Sequence, residues 1–81
     1  MHKKKRKASF EIRCRLANNV KKRRTKRGYT QEGLGKLCLL SEKYISNIEQ
    51  ASENVTLASL EALAKGLGCT EADLLRRPAT A

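Results

Sequence analysis

Side chains suited to chemistry are scarce in this 81-residue chain. It has one histidine, His2, in a basic lead, and three cysteines, Cys14, Cys38 and Cys69, too far apart for any two to form a zinc-ligand pair or the start of a disulfide framework. Buried, reduced thiols are the expectation for all three. There is no glycine-rich phosphate loop, and no grouping of acids, base and nucleophile that catalysis requires. No catalytic residue, metal or cofactor is therefore expected, and the chain does not read as an enzyme. No apolar run approaches the roughly 20 residues of a membrane helix, and the opening Met-His-Lys-Lys-Lys-Arg-Lys has charge but no apolar stretch behind it to make a signal peptide. A soluble, cytoplasmic protein is expected, not associated with a membrane. Internal repeats and convincing strand patterns are missing too.

What is present is positive charge, unevenly placed. The formal net charge is +10, yet residues 1–27 hold 13 of the 18 lysines and arginines with Glu11 as their only acid, while residues 28–81 hold 5 bases against 7 acids. A cationic segment of this density attracts a polyanion by counterion release, and nucleic acid is the commonest intracellular one. A solvated tail that keeps the protein soluble is the competing reading of the same charge. Residues 1–8 form a low-complexity basic lead, expected to be disordered when unbound; a DNA-following arm, an inert tail and a nuclear import signal all fit its composition.

The remainder reads as helices. Ser9 is placed to cap a long first helix carrying Phe10, Ile12 or Cys14, Leu16 and Val20 at helical spacing and ending at Gly28. Tyr29 then packs beneath the next helix or offers its hydroxyl to phosphate. Thr30 and Ser41, eleven residues apart, cap two short helices around a tight corner. Leu34, Leu37 and Cys38 form the apolar face of the first and Ile45 and Ile48 that of the second; Glu42, Lys43, Ser46, Asn47 and Gln50 form the second helix's outward face. Thr56, without the glutamate of a full capping box, opens a helix with Leu57, Leu60, Leu63, Ala64 and Leu67 on one side. Thr70 opens a short last helix with acids in its first turn, and Pro78 closes regular structure. Leu74 and Leu75 cannot both face one small core, so one of them is a candidate for a subunit interface. The domain is expected to span residues 9–77, with residues 78–81 a disordered tail.

Thr30-Gln31-Glu32 with Leu34 and Leu37, then Tyr44-Ile45-Ser46-Asn47-Ile48-Glu49, Asn54-Val55-Thr56 and Leu57 to Leu67 resemble the Cro/C1-type, or XRE, helix-turn-helix family over roughly residues 16–75. Within it they look most like the controller proteins of restriction-modification systems, small dimeric regulators. The resemblance implies an all-α, compact five-helix lambda-repressor-like domain with the helix-turn-helix at about residues 30–50. It also implies a homodimer that binds double-stranded DNA sequence-specifically at a near-palindromic operator to regulate transcription. The helix opening at Ser41 would enter the major groove. Lys43 would donate to guanine, Asn47 would bond adenine, Glu42 would accept from cytosine and Ser46 would stand at a base edge. Arg27, Thr30, Gln31, Tyr44 and Gln50 would meet phosphate, Arg24 and Glu49 would form a structural ion pair, and Leu74 and Leu75 would belong to the dimer interface.

This chain departs from the family pattern at four places. Leu39 stands at the corner where glycine is usual, so either the turn differs or a leucine is strained. Gly33 and Gly35 lie inside the first helix of the motif and should weaken it. Arg23 occupies a commonly apolar position. Gln50-Ala51-Ser52-Glu53, after the recognition helix, lacks the usual bases and glycine. Two other functions compete with specific DNA recognition: a protein-interaction module, such as an antitoxin or anti-repressor, on the same fold, and generic nucleic-acid binding by the basic lead alone.

Overall fold

The computed structural model describes residues 7–78; most of the basic lead, including His2, and residues 79–81 of the expected tail lie outside them. Five helices account for the regular structure described: α1 (Phe10–Lys26), α2 (Gln31–Cys38), α3 (Glu42–Glu49), α4 (Leu57–Leu67) and α5 (Glu71–Leu75). The all-α, five-helix architecture is the one expected. No helix among the described residues is long and apolar enough to cross a membrane.

Every helix starts the same way. Ser9, Thr30, Ser41, Thr56 and Thr70 each keep an extended backbone while the side-chain oxygen accepts from the N–H three residues on. Each such cap contributes about 1 kcal/mol by satisfying an orphan donor. At Thr70 the Asp73 carboxylate also reaches back to the cap's own N–H at 3.0 Å, completing a capping box.

Four of the five helices end alike. Gly28, Leu39, Ala51 and Gly68 take left-handed backbone conformations just past α1, α2, α3 and α4. In each case the next residue's N–H returns to a carbonyl in the last turn: Tyr29 to Arg24, Leu40 to Gly35, Ser52 to Asn47 and Cys69 to Ala64, at 2.8–3.1 Å. This is the Schellman termination, for which glycine is the natural residue. Leu39 and Ala51, the two exceptions, flank α3 on either side. The departures at the corner and in the following loop are thus one effect: the turns keep their geometry and L-residues are held in them, at about 1–2 kcal/mol of local cost each. Gly35 has a different reason to be glycine. It is buried, and a Cβ there would lie 2.6 Å from the Leu40 carbonyl oxygen, so the close packing of α2 on its own corner excludes any side chain.

The core gathers Leu16 and Val20 of α1, Leu34 and Cys38 of α2, Ile45 and Ile48 of α3, four residues of α4 and Leu74 of α5. Burial pushes the Cys38 thiol pKa up, and the thiol donates to the Ala62 carbonyl at 3.3 Å. Three residues expected in the core are exposed: Phe10, Leu37 and Leu57. Phe10 and Leu57 are the first residues of their helices, beyond the reach of the neighbours that cover the next turns. Leu37 is displaced because the short α2 buries the Leu34–Cys38 line and turns Leu37 to its flank. Leu74 is wholly buried; it belongs to the core and cannot present itself to a second subunit, which leaves half-buried Leu75 as the interface candidate of the pair.

Candidate nucleic-acid interface

The interface begins with how α3 is held. Ile45 and Ile48 anchor its inner side, and the Ser41 hydroxyl accepts from the Tyr44 N–H at 3.0 Å to fix its start. Its outer side is then presented as a unit. Glu42 and Lys43, in the first turn, are exposed, whereas Ser46 and Asn47 are half-buried. Ser46 Oγ accepts from Gln50 Nε2 at 3.1 Å, and Asn47 Nδ2 donates to Glu53 Oε2 at 3.3 Å. Lys43 is therefore uncommitted, while Asn47 has given one of its two amide N–H groups to Glu53 and keeps the other, with Oδ1, for a further partner.

The C-terminal end of α3 is held by charge. Arg24 Nε and Nη2 donate to the two oxygens of Glu49 at 2.6 and 3.0 Å, and Arg24 Nη1 donates to the Tyr29 carbonyl at 2.8 Å. The hydrogen bonds to Glu49 raise the guanidinium pKa above its ordinary value. Sequence reasoning paired these two residues but missed a third. The Gln31 amide donates to Glu49 Oε1 at 3.1 Å, so its side chain is occupied inside the motif, and a phosphate at the start of α2 would meet backbone N–H groups. Of the other residues assigned to phosphate, Thr30 caps α2, Tyr44 lies half-buried against the core, and Gln50 is exposed at the end of α3. Arg27 lies against Gly68, where an added Cβ would collide with its guanidinium.

A second fastening had no sequence signal. Arg13 Nη1 donates to the Ala51 carbonyl at 2.7 Å and Nε to the Ala8 carbonyl at 3.1 Å, while the Ala8 N–H donates to Asn54 Oδ1 at 2.9 Å. The chain entering α1 is thereby tied to the loop that follows α3.

Comparison with known proteins agrees with this geometry. The family model described as helix-turn-helix matches residues 20–74. A hypothetical transcription factor of Neisseria meningitidis is 34% identical over 68 residues, a match covering 84% of this chain and 64% of that protein, just under two thirds of its length. The crystal structure of the hypothetical transcription factor NHTF from Neisseria superposes with a TM-score of 0.80 at 29% identity, covering 95% of this chain and 90% of that one. Control protein C.MunI of a Mycoplasma species is 37% identical over 65 residues, covering 79% of this chain and 88% of that protein.

Proposed function

The chain belongs to the Cro/C1-type helix-turn-helix family of DNA-binding transcriptional regulators, which are not enzymes, and on that premise we propose that it binds a near-palindromic operator as a homodimer, reading sequence through α3. The observation that carries this reading is the outward side of α3: Glu42 and Lys43 exposed at its start, with Ser46 and Asn47 one turn behind them, on a helix fixed at both ends. In the major groove, Lys43 donates to guanine O6 or N7, Glu42 accepts from cytosine N4, and Ser46 and Asn47 approach the next base edges. The N–H groups that open α2, that of Gln31 among them and with Thr30 beside them, face phosphate; Arg27, Tyr44 and Gln50 add interactions that position without specifying.

Dimerisation is supported by an apolar groove in which Ile12, Leu16, Val55, Leu57, Leu60 and Leu75 meet. Leu57 is 83% exposed, a large apolar side chain at the rim of other apolar side chains. A twofold contact there makes each subunit's patch its own partner and sets two recognition helices one helical turn of DNA, about 34 Å, apart. The test combines sedimentation with a competition shift assay. The protein should sediment as a dimer, and a selected duplex should displace the complex where a scrambled duplex of equal length does not; equal competition by both removes the specificity claim.

A further inference from the structure

The C-terminal half of α1 and the segment after α5 enclose a polar cleft of about 300 Å³. Lys22, Arg23 and Lys26 line one side, Arg76 and Arg77 the other, with Asp73 the only carboxylate. That carboxylate is already committed, Oδ1 to Arg76 Nη2 and Oδ2 to the Thr70 N–H, both at 3.0 Å. Among the described residues, Lys22, Arg23, Lys26 and Arg77 have no salt-bridge partner.

The cleft is a built feature. The Asn19 side-chain amide donates to the carbonyls of Leu74 and Arg76, both at 2.9 Å, and so fastens the segment bearing Arg76 and Arg77 to α1. Asn19, Lys22, Arg23 and Lys26 fall at i, i+3, i+4 and i+7 on one face of that helix. Lys22 and Lys26, four apart, repel one another in the free protein. Each is two residues from Arg24, and positions two apart on a helix face different ways; the cleft therefore opens away from the side on which Arg24 reaches Glu49 of α3.

Several cations converging in a concavity suit a compact, multiply charged anion, and the planar forks of three arginines match phosphate oxygens. A phosphate group brings up to about two charges and three acceptor oxygens to one place, whereas a peptide carboxylate brings one charge per residue. We propose that this cleft binds phosphate groups at a site separate from the recognition helix. The proposal stands on α1 and the segment after α5, and does not depend on how α3 reads DNA. Phosphate can arrive from two sources, a free phosphorylated small molecule or the backbone of a second nucleic-acid segment.

The test is an NMR titration of the isotope-labelled full chain with sodium tripolyphosphate and, in a separate arm, with a short scrambled duplex. The expected result is a saturable shift of the Asn19 side-chain amide and the backbone amides of Lys22, Lys26 and Arg77. In the tripolyphosphate arm the amides of Lys43 and Ser46 stay in place. Replacing Lys22→Ala with Arg77→Ala weakens binding about tenfold or more, since hydrogen bonds to charged groups are the strong ones. Lys21→Ala with Lys65→Ala, which removes equal charge elsewhere, leaves it nearly unchanged. Saturation by tripolyphosphate assigns the site to a free phosphorylated ligand; saturation at the cleft by duplex alone assigns it to a nucleic-acid backbone. No saturable shift in either arm, equal losses in both double variants, or equally effective competition by an acidic peptide overturns the proposal.

Discussion

Arg24 and Glu49 are joined by two N–H···O bonds, 2.6 Å from Nε to Oε2 and 3.0 Å from Nη2 to Oε1, where their side chains are only 12% and 4% exposed. Because Arg24 also holds the Tyr29 carbonyl and Gln31 shares Glu49, one network joins the end of α1, the loop into α2, the start of α2 and the end of α3. The pair fixes the end of α3 against α1.

Removing either partner strands the other in a poorly hydrated site. Arg24→Ala and Glu49→Ala should each cost about 3–5 kcal/mol of folding free energy. The double replacement Arg24→Met/Glu49→Leu should cost much less, because no unpaired charge remains. Urea denaturation of the three variants measures this, and equal losses in all three would show that packing, and not the stranded charge, sets the cost.

Leu39→Gly should stabilise the protein by up to about 1 kcal/mol. It relieves a left-handed leucine at φ 58°, and a side chain that is 91% exposed has little packing to give up. Ala51, by contrast, is buried, so glycine there removes a packed methyl as it relieves strain. Gly35→Ala should destabilise by about 1–3 kcal/mol, because its methyl meets the Leu40 carbonyl. Thermal unfolding of these variants checks both signs.

How much of this was legible in the sequence depended on range. All five caps were readable, since a hydroxyl bonding three residues ahead is a local event. The apolar spacing marked the inward direction of each helix, but not where its neighbours stop, so Phe10, Leu37 and Leu57 were placed inside and lie outside. Leu39 was marked by the glycine missing from its corner, and the loop holding Ala51 by the same absence; in both, the turn imposes a left-handed backbone on an L-residue. Gln31 to Glu49, Arg13 to Ala51, Ala8 to Asn54 and Asn19 to Arg76 are bonds between sites 18 to 57 residues apart. No local pattern announces them.

Asp73 links stability to acid pH. Its bonds with the Thr70 backbone N–H and hydroxyl hold its carboxyl below the ordinary 3.8, with Arg76 adding to the effect. A lowered folded-state pKa gives stability that is present above the unfolded value and lost as pH falls through the folded one. The start of α5 should therefore loosen only below about pH 4. An NMR titration of the Asp73 carboxyl should show a midpoint under 3.8, and Asp73→Asn should flatten the acid limb of the stability profile.

The basic lead should strengthen DNA binding without directing it. Deleting residues 1–7 removes five bases and leaves Ala8 on Asn54. Affinity should fall, and the slope of log K against log salt should shallow by about 0.9 for each phosphate no longer neutralised, with sequence preference unchanged. A change in preference would move recognition from α3 to the lead.

The central claim, that α3 reads base sequence as one half of a twofold assembly, is tested most directly by selecting bound duplexes from a random library with the wild type and with Lys43→Ala. The account predicts an enriched near-palindrome with half-sites about 34 Å apart. In the variant, one symmetry-related base pair in each half-site should lose its preference at a cost of about 1–3 kcal/mol, with the flanking preferences intact. Failure of the wild type to enrich any sequence, or an identical enriched site from both proteins, would contradict it.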